Sequence, residues 1–316
     1  MSPMAHDETR DSLKNEIAEL EARLQKARQR LSAQASDTAH SSAKLTLPHR
    51  NGVSPSTTAA IGPIINTAAS SAHHYLLLLS DSALPLGSFA FSSGLESYKT
   101  HDGHGASFNT FLPLSLSAYA STTLPFVLAA HRDPLATAEL DDAHDAAVIC
   151  TVGRRASVAQ GRALLGVWEK SFAPAVPASS REAIAHLRGL LSSPGAAVGG
   201  GGDASSGGCG PAYCYSAHLA PLFGAICNLL GLTLRQTAYV FMLSHVKALV
   251  SAGVRAAMMG PYVAQRVLAS REVQDLISAM IDREWETKYE EAGQTVPVMD
   301  LWIGRHEMLY SRIFNS

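Results

Sequence analysis

Two stretches of this chain, Gly105–Ala130 and Pro211–Leu234, contain no Lys, Arg, Asp or Glu. Uncharged segments of that length must be hidden from water, and this narrows the possible folds more than any other feature. A membrane-spanning helix wants about 20 consecutive, mainly apolar residues. The first stretch is laced with Ser and Thr and holds Pro113 and Pro125; the second holds Pro211, His218, Pro221 and several glycines. Both therefore read as buried core helices, with no membrane span. Composition agrees: 47% of the residues are hydrophobic and only 16% are charged, against about 25% in a typical soluble domain. Much of the chain must be covered, by its own core or by partners. A formal charge of −2 offers no basic surface for nucleic acid. Cys150, Cys209, Cys214 and Cys227 are sparse and irregularly spaced, as in a reducing compartment and unlike a disulfide framework. The polar start Met1–Glu8 lacks the apolar region of a secretory signal, so a cytoplasmic location is expected.

Apolar residues recur three and four apart along most of the chain, for example Leu234, Ala238, Phe241 and His245, the period of a helix with one buried face. Runs of alternating β-branched residues are scarce, which argues against a sheet. Helices are predicted over 73–80, 88–100, 107–131, 134–149, 152–172, 180–191, 216–231, 233–258, 261–286 and part of 300–314. Thr233 is placed to cap one helix, and Gly260-Pro261 to separate two others, with Pro261 in a first turn. The fold class is all-α, a bundle of about ten helices over residues 73–316. Ahead of it, residues 1–34 carry a heptad seam of Leu13, Ile17, Leu20, Leu24, Ala27 and Leu31. The seam reads as a short coiled-coil-like helix or as a lone amphipathic one. Residues 35–72, rich in Ser, Thr, Ala, Asn and Pro, read as a disordered linker. The glycine-rich run 192–211 reads as a flexible insertion; it lacks the Gly-Lys-Ser/Thr ending of a phosphate-binding loop.

Catalytic signatures are missing: no G-x-S-x-G elbow, no H-E-x-x-H and no G-x-G-x-x-G. Three clusters resemble metal sites. Asp141, His144 and Asp145 share a helical face, a common pattern that reads first as a solvated helix edge. His101 and His104 flank a turn. Cys209 and Cys214 with His218 are the most metal-like, although a Cys spacing of five is loose for structural zinc.

The segment LSDSALPLGSFAFSSGLE, residues 79–96, differs in kind. A short helix ends at Ser80-Asp81, Pro85 and Gly87 force a turn, and Ser88 is placed to cap the next helix. Phe89 and Phe91 face different sides, one fit for the core and the other for a partner, or both for a core corner. The terminal run His306–Ser316 carries Met308, Leu309, Tyr310, Ile313 and Phe314 in a piece too short for a core. It either orders against a partner, the favoured reading, or packs back on its own bundle. Tyr310 and Arg312 are residue types that anchor interfaces.

Three blocks carry a resemblance: SDSALPLGSFAFSSGLESY at Ser80–Tyr98, the pair spanning His218–Arg255 followed by GPYVAQRVL at Gly260–Leu268, and HEMLYSRIFNS at His306–Ser316. In these the chain resembles the UreF family of urease accessory proteins over about residues 73–316. Many relatives carry Tyr where this chain has Phe89, so any role of that hydroxyl is lost here. The resemblance implies an all-α, dimeric adapter that is not an enzyme. It would bind UreD (also called UreH), recruit the GTPase UreG and dock on apo-urease. Nickel would be cargo delivered through the complex, with GTP used by UreG and no cofactor held firmly. Partner contacts would fall on the matching blocks: Phe89, Phe91, Glu96, Tyr98, Arg255, Tyr262, Gln265, His306, Glu307, Tyr310, Arg312 and Phe314. The alternative is a metallochaperone that itself holds nickel, with Cys209, Cys214 and His218, or the histidines near His101, as candidate ligands.

Overall fold

Burying two uncharged stretches calls for helices on all sides of them, and that is what forms. The computed structural model describes Gln25 and residues 67–192 and 215–315. The chain divides into two units, Met1–Gly62 and Pro63–Ser316. The heptad seam, most of the expected linker and the glycine-rich insertion from residue 193 lie outside the described residues. The second unit has eleven described α-helices: α1 Thr67–Ser80, α2 Leu95–Asp102, α3 Phe108–Arg132, α4 Thr137–Ala147, α5 Thr151–Val167, α6 Ala178–Ser192, α7 Leu219–Leu229, α8 Leu234–Arg255, α9 Pro261–Ala269, α10 Arg271–Glu284 and α11 Val298–Arg305. Among the described residues there is no strand, so the all-α class holds.

The two uncharged stretches meet. α3 and α7 form the most extensive helix pair, and α4, α5, α8 and α10 surround them. Their approach depends on Gly224, where a Cβ would lie 2.2 Å from the Val127 carbonyl oxygen of α3. The pair is tied again at its ends. Asn228 Nδ2 donates to the His131 carbonyl at 2.9 Å, and His131 Nε2 lies 2.9 Å from the Leu232 carbonyl. α3 and α8 are long and apolar enough to cross a membrane, yet most of each is buried within the bundle.

Pro125 sits inside α3. Having no N–H, it leaves the carbonyl of Ser121 without its intrahelical donor. Gly293 N–H takes that place at 3.1 Å, and Ser121 Oγ bonds Thr295 Oγ1 at 3.0 Å. The proline thus draws the 293–295 loop onto the central helix.

Local signals placed several ends correctly. Thr233 caps α8 in a full capping box with Gln236, and Pro261 occupies the first turn of α9. Others needed the structure. α1 starts at Thr67, within the expected linker. The single helix expected over 261–286 is two, because Ser270 is extended and its side chain caps α10 through Val273 N–H. The helix expected over 88–100 is a 3-10 turn, Ser88–Ala90, then a break before α2. Ser93 and Gly94 both have positive φ, 50° and 86°, which no α-helix tolerates in succession. Ser88 is not the cap; Gly87 precedes that turn and Gly94 precedes α2.

Candidate interaction site

Where the 81–98 corner meets the C-terminal tail, most of the residues singled out in the sequence converge. The corner is locally built. Asp81 accepts from Ala83 N–H at 2.9 Å through Oδ1, and Leu84 N–H returns to the Asp81 carbonyl at 3.2 Å. Lys247 Nζ donates to the Ser80 carbonyl at the end of α1, and Lys99 Nζ to the Ala256 carbonyl past the end of α8. A cation at a helix C-terminus satisfies carbonyls that lack an intrahelical donor.

Glu96, in the first turn of α2, is 7% exposed and faces inward. Its Oε2 accepts from Phe314 N–H at 3.2 Å and pairs with His306 Nε2 at 2.8 Å. Its Oε1 accepts from Ile313 N–H at 2.7 Å. Next to it, Asn315 N–H donates to the Ala90 carbonyl at 2.8 Å. Arg255 donates to the Phe89 carbonyl and lays its guanidinium 4.3 Å from the centre of the Phe314 ring, a favourable cation–π placement. Desolvation lowers the Arg255 pKa from its usual value. Tyr98 packs its ring against Trp302 and Phe111, 4.8 and 5.2 Å between centroids. His306 and Phe314 are buried, and Glu307 forms an exposed ion pair with Arg155.

The tail therefore packs back through Phe314 while presenting most of its other side chains to solvent. Phe89 is 66% exposed, and Met308, Tyr310, Arg312 and Ile313 also face solvent. The two aromatic residues of the corner do part company. Phe91 turns inward to line a cavity of about 190 Å³ with Tyr119, Phe223, Phe241, His245 and Met299. Tyr262 and Gln265 are exposed on α9, which packs along α8.

A second polar centre was misread in the sequence. Asp141 and His144 are fully buried, not on a solvated helix edge. Asp141 accepts three successive amides: Ser216 at 2.6 Å, Ala217 at 3.2 Å and His218 at 2.5 Å. This nest of N–H groups around an anion holds Ala217 at φ 65°. Burial pushes the Asp141 carboxyl up, opposed by His218 and the three amides. His218 itself is fully buried, with Nε2 2.7 Å from Asp145 Oδ1 and Nδ1 3.0 Å from Ser157 Oγ. Both ring nitrogens are thus engaged by side chains of the bundle. Cys209 and Cys214 lie outside the described residues, and among those described no group of three or more His, Cys, Asp or Glu converges as metal ligands. His144 stands edge-on to His218 at 4.9 Å, its own nitrogens without a hydrogen-bond partner among the described residues. Nothing in the 3–4 spacing of Asp141, His144 and Asp145 distinguishes a buried face from a wet one. The only hint was the uncharged stretch that had to pack nearby.

Fold and site together define a class: an all-helical protein whose most elaborate polar centres hold its own chain in place. Comparison with known proteins narrows this. A family model described as UreF matches residues 104–272. A Schizosaccharomyces pombe protein named "Uncharacterized urease accessory protein UreF-like" is 35% identical over 250 residues, covering 77% of this chain and 97% of that protein. "Urease accessory protein F" of Oryza sativa subsp. indica is 30% identical over 240 residues, 75% of this chain and 82% of its own. "Urease accessory protein UreF" of Paenarthrobacter aurescens is 29% identical over 241 residues, 75% and 95% respectively. The chain belongs to the UreF family.

Proposed function

We propose that this chain is a urease maturation factor that acts as an adapter. It joins UreD and the GTPase UreG on apo-urease, so that nickel is delivered, with GTP hydrolysed by UreG, only when the assembly is complete. The adapter is cytoplasmic and dimeric, catalyses no step itself, and treats nickel as cargo. Family membership supports the urease role. The observation that carries the adapter reading is the corner and tail, where a tied backbone leaves Phe89, Tyr310, Arg312 and Ile313 exposed. Exposed aromatic and Arg side chains on a fixed backbone are what interface anchors are made of, and pre-ordering lowers the entropy lost on docking.

The test is co-expression with UreD and UreG followed by size-exclusion chromatography. The full chain should elute with both partners. Arg312→Ala should weaken capture of UreD by about 2 kcal/mol or more, read as a shifted titration midpoint. Separate elution of the full chain, or undiminished capture by the variant, contradicts the reading.

A further inference from the structure

We propose that Glu96 is the positioning residue of the C-terminal tail: its buried carboxylate holds residues 306–315 on the corner, and Phe89, Tyr310 and Ile313 form one surface only while it does so. Glu96 draws together groups that lie 210 to 218 residues away in sequence. Both of its oxygens are used, one for Ile313 N–H and the other for Phe314 N–H and the His306 ring. The tail past Met308 has no helix of its own, so its backbone is held from outside. Between Glu307 and Ile313 the side chains are exposed or half-buried, and burial resumes at Phe314. The other ties are the backbone hydrogen bond from Asn315 N–H to the Ala90 carbonyl, Arg255 over Phe314, and the solvent-exposed Arg155–Glu307 pair. The last is of the kind that contributes little. Hydrogen bonds to a charged acceptor are roughly twice as strong as neutral ones, and three of them converge on one carboxylate.

The chemistry of the site makes the role specific. A Gln at this position keeps the shape but turns one acceptor oxygen into an NH₂ group, which would face a backbone N–H of Ile313 or Phe314, donor against donor. An Asp keeps the charge but falls one methylene short. The role of Glu96 within the isolated chain stands apart from the adapter reading; what the surface docks rests on that reading.

Amide hydrogen exchange on the full-length purified protein tests the proposal. In the unmodified chain the Ile313 and Phe314 amides should be protected. In Glu96→Gln and Glu96→Ala, exchange across 309–315 should rise about tenfold or more, while the Leu124–Leu128 segment of α3 stays unchanged. A disulfide between Ala90→Cys and Asn315→Cys, added to Glu96→Gln, should restore protection. Tail amides of the unmodified chain exchanging at the rate of an unstructured peptide would overturn the proposal without any variant. So would equal protection in the unmodified chain and Glu96→Gln. Raised exchange with unchanged capture of UreD would uphold the role of Glu96 and overturn the corner and tail as the docking surface.

Discussion

His144 shows how one side chain can carry a cost that the fold as a whole absorbs. Burial, and then neighbouring His218, lower its pKa from 6.5 to about 3, and burial alone does the same to His245. Both are neutral when folded, whereas the unfolded chain takes up protons at these positions once the pH falls below about 6.5. Their contribution is therefore complete above that value and is lost as the pH falls from 6.5 toward 3. Thermal unfolding midpoints should drop on acidification through that window, more steeply than in His144→Leu. At neutral pH the same substitution removes an unpartnered buried polar group beside Phe126 and His218. It should raise stability by about 1 kcal/mol, measured by urea denaturation. A loss of comparable size would mean that the imidazole makes a bond the bundle needs.

Among the elements, the legible parts were those fixed by neighbours in sequence. The capping box at Thr233 and the first-turn Pro261 are decided within a few residues, and the pattern gave them away. The break at Ser93-Gly94 was not legible, because it goes with a close approach to a distant helix: a Cβ on Gly94, at φ 86°, would lie 3.0 Å from the Ile303 nitrogen of α11. The Asp141–His144–Asp145 face failed for a similar reason. Its carboxylate is matched by amides at 216–218, and local spacing says nothing about where those fall. The corner and tail were found as sequence blocks, but their mutual contact through Glu96 joins residues too far apart for any periodicity to reveal. The α3–α7 contact yields a prediction of its own. Gly224→Ala would set a methyl group 2.2 Å from the Val127 carbonyl, forcing the two helices apart. It should cost about 2 kcal/mol or more, seen as a lower urea midpoint with an unchanged slope. An unaffected midpoint would mean that the pair can separate at no cost.

Across the whole molecule, the central helices are tied to one another by contacts among the described residues. The residues after the glycine-rich insertion are gripped at once by Asp141, through the amides of Ser216 and Ala217, and by Asp145, through the His218 ring, and α1 contributes Leu79 to the core. Replacing 193–213 by a short Gly-Ser linker should therefore leave the unfolding transition within about 0.5 kcal/mol. Removing residues 1–66 should leave urease activation intact. Removing 1–80 should not, because Leu79 and the Tyr75–Phe172 contact go with it. Retained activation without α1, or lost activation without residues 1–66, would contradict this division.

The most direct measurement is urease activity in cells whose own copy of the gene is deleted, complemented either by the full chain or by one ending at Met308. The full chain should restore nickel-loaded, active urease; the shortened chain, folded but lacking Tyr310, Arg312 and Phe314, should leave the apoenzyme inactive despite added nickel. Full activity with the shortened chain would show that the corner and tail are not what the protein works through.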